Sequence, residues 1–202
     1  MNDRTIRREQ ITGLVLAGGL GTRMCPDGTG TEKGLQTFRG MPMVAHVTRR
    51  LAPQVGPLMI NANRNVDNYR SLDLPVIGDL IAGHPGPLAG LHAGLRAAST
   101  PWLVTAPCDS PFLPLDLVDR LASAIAANHA DVAVARVDGR SQPVFMLLRC
   151  SLSASVEAFL EAGERKVHRW FAAQNGTYAD FDDPQEFRNI NTLDELRQFE
   201  ST

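Results

Sequence analysis

The stretch of sequence that determines the fold reads Gly13-Leu14-Val15-Leu16-Ala17-Gly18-Gly19. Its apolar part is short, contains branched side chains and is stopped by two glycines, which is typical of a strand buried on both faces of a sheet. We therefore expect residues 13–17 to form the first central strand, with a glycine-rich turn directly behind it.

Strand-like and helical patterns alternate along the rest of the chain. Parallel strands need crossover connections, which helices usually supply, so the alternation predicts an α/β fold. We expect a mostly parallel central sheet with helices on both faces, which binds ligands beyond the carboxyl ends of its strands. The further strands are predicted at residues 57–61, 74–77, 102–105, 131–137 and 144–148, and the helices at residues 43–51, 88–98, 115–127, 152–160 and 193–199.

The size of the chain fits one domain. Its 202 residues, 44% hydrophobic and 21% charged, are ordinary for a single folded α/β unit. Asp3 and Glu9 interrupt the arginines near the start and no apolar signal core follows, so residues 1–10 are interpreted as a flexible, solvated N-terminal tail.

Several classes of function are disfavoured by composition. A net charge of -2 provides no basic footprint for nucleic acid. No apolar run approaches the roughly 20 residues that span a bilayer, so no membrane partner is expected and the location is predicted to be cytoplasmic. The three cysteines are odd in number and match no metal spacing, so we expect reduced thiols, with Cys108 as a small buried packing residue.

The first group of candidate functional residues follows the first strand. Glycines there let the backbone approach a phosphate, and the guanidinium of Arg23 could donate hydrogen bonds to the phosphate oxygens. The alternative is a simple strand-to-helix turn, because Met24 stands where a dinucleotide fingerprint needs glycine. Lys33 follows in a loop from which it could return to the same phosphates, although it could equally be a surface lysine.

Two further groups follow later strands. Asp109 emerges from the strand that begins near Trp102, where a carboxylate suits a hard cation such as Mg²⁺ or caps the next turn. Asn61, Asp79 and the loop at residues 85–90 also follow strands, and they could read a base and a sugar or be ordinary turns.

A series of short motifs extends along the chain. The motifs are Leu16-Ala17-Gly18-Gly19, Arg23-Met24, Lys33-Gly34-Leu35, Asn61-Ala62-Asn63-Arg64, residues 85–90, Pro107-Cys108-Asp109, Gln142-Pro143-Val144, residues 162–167 and Asn189-Ile190-Asn191-Thr192. Taken together, these motifs closely resemble the molybdenum cofactor guanylyltransferases, in order and in spacing. The resemblance spans essentially the whole chain and implies a Rossmann-like nucleotidyltransferase fold, with a nucleotide-binding part at about residues 11–110 and a pterin side at about 111–202.

The resemblance assigns roles residue by residue. Arg23, Lys33 and Asp109 match the catalytic positions: a triphosphate arginine, a phosphate lysine and a ligand of Mg²⁺ and GTP. The binding positions are Leu16, Ala17 and Gly18 in the nucleotide loop, Asn61 and Asp79 at guanosine, and Asn189 and Asn191, with Arg140, Gln142 and Lys166, on the molybdopterin side.

The function so implied is transfer of GMP from GTP to molybdopterin with release of pyrophosphate. Transient contacts with cofactor-delivery proteins and with the chaperones of apo-molybdoenzymes are implied as well. Two alternatives stay open: a related enzyme that uses CTP or another phosphate acceptor, and a non-catalytic nucleotide-binding relative. The chain departs from the family in a longer loop at residues 25–32, where Glu32 replaces the usual aspartate and where we expect mobility without GTP.

Overall fold

The described residues, 5–18, 32–81 and 86–200 of a computed structural model, form nine strands and seven α-helices. No helix in these ranges is long and apolar enough to cross a membrane. The strands are β1 (Ile11–Leu16), β2 (Thr37–Phe38), β3 (Met41–Pro42), β4 (Leu58–Asn61), β5 (Val76–Ile77), β6 (Trp102–Pro107), β7 (Val132–Val137), β8 (Arg140–Arg149) and β9 (Gly176–Phe181). The helices are α1 (Met43–Leu51), α2 (Val66–Arg70), α3 (Pro87–Ala97), α4 (Leu117–Asn128), α5 (Ser153–Glu161), α6 (Val167–Ala172) and α7 (Leu193–Glu200).

Seven of the strands form one sheet in the order β5-β4-β1-β6-β8-β7-β9. The pairings β5 with β4, β4 with β1, β1 with β6 and β7 with β9 are parallel. Strand β8 runs antiparallel to both of its neighbours, β6 and β7. The predicted mostly parallel sheet is therefore confirmed, and β1 is an interior strand of it, between β4 and β6.

Helices cover both faces of this sheet. Because side chains alternate along a strand, neighbouring residues of β1 enter different cores. Val15 packs in a cluster with residues of α1 and α4, while Leu14 packs with residues of α3, α5 and α6. The continuous apolar pattern of β1 arises because both of its faces are buried, and the predicted helices on both faces are confirmed.

The edge of the sheet and one hairpin differ from the sequence prediction. Strand β9 was not predicted, because its outward positions are exposed and only Ala179 and Phe181 are buried in it. Strand β8 begins at Arg140, four residues earlier than expected, because a two-residue turn joins it to β7. Asp138 and Gly139 have φ angles of 49° and 71° in this turn, and Asp-Gly is a sequence typical of it.

From Ile6 onward, the beginning of the chain packs against the rest of the protein, whereas the sequence predicts a solvated tail there. Ile6 packs against the core, and Arg8–Gln10 form a short 3-10 helix. The Arg7 backbone N–H donates to the Gln10 side chain at 3.0 Å. Residues 6–10 therefore belong to the folded structure rather than to the predicted tail, and residues 1–4 of that prediction lie outside the described ranges.

Candidate active site

The candidate site lies along the edge where four parallel strands end. Leu16 is in register with both Asn61 and Pro107, and Asn61 is in register with Ile77. The four strand ends are therefore level, and side chains just beyond them face a common edge. The residues two positions beyond these ends are Gly18, Asn63, Asp79 and Asp109.

A charged centre forms at the Asp109 end of this edge. The Lys33 Nζ donates to Asp109 Oδ2 at 2.6 Å and to Asn191 Oδ1 at 2.6 Å. The Lys33 and Asp109 side chains are only 19% and 12% exposed, so the ion pair is poorly screened by water. Three residues singled out from distant parts of the sequence therefore meet at one point.

Asp109 has spare capacity to bind a ligand. Its Oδ1 is buried and has no hydrogen-bond partner among the residues that the structure describes. A buried carboxylate oxygen without a partner is costly, which is why such atoms usually bind a ligand or an ion. An anionic oxygen is also the donor that hard divalent cations prefer. The donor at Asp109 therefore fits the predicted Mg²⁺.

The turn that carries Lys33 is seated on buried side chains. A Cβ atom on Gly34 would lie 3.0 Å from both Cys108 Sγ and the Tyr69 hydroxyl, so only glycine fits there without a shift of neighbours. The Tyr69 hydroxyl donates to Glu32 Oε2 at 3.1 Å. Burial raises the pKa of Tyr69 and of Cys108, so both stay protonated at neutral pH. Cys108 is thus confirmed as a packing residue.

A second polar cluster lies at the opposite end of the edge. Asn61 Nδ2 donates to Asp79 Oδ1 at 2.9 Å, and Asn63 Nδ2 donates to Asp79 Oδ2 at 2.8 Å. The Asp79 backbone N–H donates to Asn63 Oδ1 at 2.8 Å. The Asp79 carboxylate is therefore held in one orientation, while each oxygen can accept further bonds. Asn63 was part of a quoted motif, but its role was not predicted.

Close packing by α3 holds Asn61 in this cluster. A Cβ atom on Gly90 would overlap Asn61 Oδ1 and lie 2.7 Å from Leu16 Cδ2. We expect Gly90→Ala to destabilise the fold by about 1–3 kcal/mol, the usual effect of overpacking, measured by urea unfolding. Gly78→Ala is the matched control, because its Cβ would make only an ordinary contact of 3.5 Å with Asn63. Equal stability of the two variants would contradict the expected overlap.

The segment before α7 completes the charged centre. The Ile190 backbone N–H donates to the Asp109 carbonyl oxygen at 2.9 Å, and the Ser110 hydroxyl donates to Asn189 Oδ1. With Asn191 bound to Lys33, both predicted asparagines lie against the Asp109 end of the edge. Ser110 is fully buried and was not predicted, although its position directly after Asp109 was a signal.

Among the residues that the structure describes, no hydrogen bond or ion pair with the charged centre or the second polar cluster is seen for Arg140, Gln142 or Lys166. Arg23, Pro85 and most of the long loop lie outside the described residues, so the role of Arg23 and the mobility of that loop stay predictions. Arg140 begins β8, Gln142 lies within it, and Lys166 precedes α6.

The chain is similar to known transferases over almost its whole length. Residues 13–177 match the family model described as a MobA-like NTP transferase domain. A molybdenum cofactor guanylyltransferase of Cupriavidus necator is 53% identical over 201 residues, which cover 97% of this chain and 99% of that protein. One of Bordetella petrii is 49% identical over 197 residues, with 96% and 98% covered.

Solved structures have the same fold at low sequence identity. The molybdopterin-guanine dinucleotide biosynthesis protein A of Archaeoglobus fulgidus superposes with a TM-score of 0.75 at 24% identity, covering 94% of this chain and 97% of that one. A 4-diphosphocytidyl-2C-methyl-D-erythritol synthase of Anaerococcus prevotii has a TM-score of 0.71 at 11% identity, covering 100% and 98%. These two comparisons establish the architecture of the sheet and its helices.

Proposed function

Because the chain belongs to the molybdenum cofactor guanylyltransferases, within the MobA-like NTP transferase domain family, we propose that it transfers GMP from GTP to molybdopterin. The observation that carries this proposal is that Lys33, Asp109 and Asn191 meet at the carboxyl edge of the sheet. The Lys33 ammonium lies 2.6 Å from an oxygen of each of the other two side chains. A cation and an anionic oxygen at such an edge suit the binding of a triphosphate with its metal.

The reaction exchanges one phosphorus–oxygen bond for another. An oxygen of the molybdopterin phosphate attacks the α-phosphorus of GTP while the bond from that phosphorus to the bridging oxygen breaks. The electron pair of the broken bond leaves with pyrophosphate, and the attacking phosphate is already ionised, so no strong base is needed. The protein contributes position and charge, and Lys33 would neutralise the leaving pyrophosphate.

Asp109 would hold Mg²⁺ in this proposal. Mg²⁺ commonly takes one or two protein carboxylates and completes its shell with water and substrate phosphates, so one aspartate suffices. Bound there, it would neutralise charge on the reacting phosphates. The free lone pairs of the buried Asp109 Oδ1 support this assignment. Lys33 would then exchange its bond to Asp109 for one to the triphosphate while keeping Asn191.

The second polar cluster, formed by Asn61, Asn63 and Asp79, would recognise the base of the nucleotide. Guanine carries two neighbouring donors, N1–H and the 2-amino group, which can pair with the two oxygens of one carboxylate. Asp79 is oriented for such a pair by Asn61 and Asn63. Cytosine and adenine lack this pair of donors, so the same carboxylate would favour guanine.

We therefore expect GTP to bind more tightly than CTP or ATP. One bidentate contact discriminates by about 1–3 kcal/mol, which corresponds to roughly 5- to 150-fold in affinity. Isothermal calorimetry with the three nucleotides and Mg²⁺ measures the difference, and Asp79→Asn should remove most of it. Equal affinity for GTP and CTP in the unaltered protein would contradict this assignment of the base.

Turnover distinguishes the proposed enzyme from its two alternatives. Pyrophosphate release is followed with molybdopterin, Mg²⁺ and either GTP or CTP. We expect release with GTP that depends on molybdopterin. Release only with CTP would identify a cytidylyltransferase, and nucleotide binding without any release would identify a non-catalytic relative.

Molybdopterin would approach from the side of residues 189–192, because this segment borders Asp109. Amide and basic groups suit its phosphate, and Arg140, Gln142 and Lys166 are the further candidates. We also propose a cytoplasmic location and transient contacts with cofactor-delivery proteins and apo-molybdoenzyme chaperones. Cys108 and Cys150, the two cysteines within the described ranges, are free thiols, which is compatible with a reducing compartment.

A further inference from the structure

The amide of Asn191 is oriented toward Lys33 by its own neighbours. Its Nδ2 faces the carbonyl oxygen of Asn189 at 3.4 Å, which directs Oδ1 to the Lys33 ammonium at 2.6 Å. The position of this amide in turn depends on the backbone of residue 191. The group that holds this backbone therefore fixes the position of one of the two oxygen atoms that accept hydrogen bonds from Lys33.

Glu195 holds the backbone of residue 191. Its Oε2 accepts the backbone N–H of Asn191 at 2.6 Å and that of Thr192 at 3.2 Å. The Thr192 hydroxyl accepts the Glu195 backbone N–H at 3.1 Å, so the two residues form a capping box at the start of α7. A capping box needs only the bond to Thr192, and the shorter bond to Asn191 is additional.

Helix α7 is anchored independently of this carboxylate. Leu196 and Ile190 are buried in a cluster with Phe38 and Met43, and Phe199 packs against Phe112 at 5.4 Å between ring centroids. Removal of the Glu195 side chain leaves these contacts in place. Its loss should therefore act on residues 191 and 192 rather than on the docking of the helix.

We propose that Glu195 is a positioning residue for the transfer reaction, which keeps the Asn191 amide oxygen where it retains Lys33 at the carboxyl edge. The inference rests on the proposed function, in which Asp109 engages Mg²⁺ and Lys33 engages the triphosphate. Lys33 then loses its bond to Asp109, and Asn191 becomes its retained anchor. A lysine side chain is flexible and loses much conformational entropy when it is ordered, so a fixed anchor strengthens its contact with phosphate.

The first test measures GTP affinity by calorimetry in Glu195 variants. We expect Glu195→Ala to weaken GTP binding roughly three- to tenfold, the usual effect of losing a hydrogen bond. Glu195→Gln should stay within about twofold, because one oxygen accepts both backbone bonds and an amide oxygen can replace it. Asp194→Ala is the control, since this carboxylate is 93% exposed and contacts Arg197 at 3.4 Å. If Glu195→Ala fails to fold, Glu195→Asp, with its shorter reach, replaces it.

A double-mutant cycle separates positioning from a general structural role. Glu195→Ala should weaken GTP binding in the unaltered protein but have little further effect in a Lys33→Ala background, because its effect passes through Lys33. Additive losses in the two variants would overturn the inference. A failure of Lys33→Ala itself to weaken binding would instead contradict the proposed function.

A second readout needs no nucleotide. The chain has only two lysines, Lys33 and Lys166, so protein labelled with ¹³C-lysine gives two resolvable sets of side-chain signals. We expect Glu195→Ala to shift the Lys33 ε-carbon signal and leave that of Lys166 unchanged, with Lys33→Ala used for assignment. Unchanged signals in a folded Glu195→Ala variant would overturn the inference. A shift in a protein that does not bind GTP would support the link to Lys33 and contradict the proposed function alone.

Discussion

Asp109→Ala should abolish most of the transfer activity while the protein stays folded. Coordination of the reacting phosphates by a metal ion is worth several kcal/mol, which corresponds to a loss of about 10²–10³-fold in rate. The Asp109 side chain supplies the free anionic oxygen at the charged centre, and a methyl group cannot replace it. The measurement is GMP transfer at saturating GTP and Mg²⁺, with circular dichroism to confirm the fold.

A second readout distinguishes loss of the metal ligand from general damage. Without Asp109, the Lys33 ammonium loses a partner at 2.6 Å and a negative charge is removed from beside the triphosphate. Binding of GTP in the presence of a chelator should therefore be retained or become tighter. Asp67→Asn, at a carboxylate that is 93% exposed, serves as the control. Full transfer activity in folded Asp109→Ala would mean that the metal is held elsewhere.

Much of the site could be predicted because parallel strands end at a common edge. Asn61, Asp79 and Asp109 are predicted from their positions at or just after the ends of apolar strands, and the register of β5, β4, β1 and β6 brings these strand ends level. Gly18 is predicted in the same way, because it follows the end of β1. The sequence pattern therefore indicates which residues lie at the ligand-binding edge, because the direction of a buried strand determines which of its ends is the carboxyl end.

The remainder depends on contacts between distant segments. Lys33 and Asn191 are 158 positions apart, and no periodicity of the chain predicts that they touch. The edge strand β9 was missed because it is half exposed and lacks a continuous apolar run. Thr192 and Glu195 did carry a local signal, since their spacing is that of a capping box. It indicated the start of a helix, whereas the bond to Asn191 became visible only in three dimensions.

Lys33→Arg should fail to replace the lysine, although it keeps the positive charge. The Lys33 Nζ fits as a compact ammonium between two acceptors, each at 2.6 Å, and a planar guanidinium is larger and has a fixed geometry. The chain uses arginine at 18 of its 20 Lys and Arg positions, so a lysine here is not a general preference. We expect both Lys33→Ala and Lys33→Arg to lose roughly 10²–10³-fold in kcat/KM, as for the loss of one group that stabilises transition-state charge.

Separate measurement of kcat and KM makes this expectation specific. If Lys33 neutralises the leaving pyrophosphate, both variants should lower kcat at saturating GTP, because the charge on the leaving group develops in the transition state. Arg70→Lys is the control, since this arginine is 63% exposed and pairs with Asp67 at the surface. Recovery of kcat by Lys33→Arg would show that charge alone is sufficient at this position. In that case the close fit of the ammonium between Asp109 and Asn191 would belong to the nucleotide-free protein and would not be required during transfer.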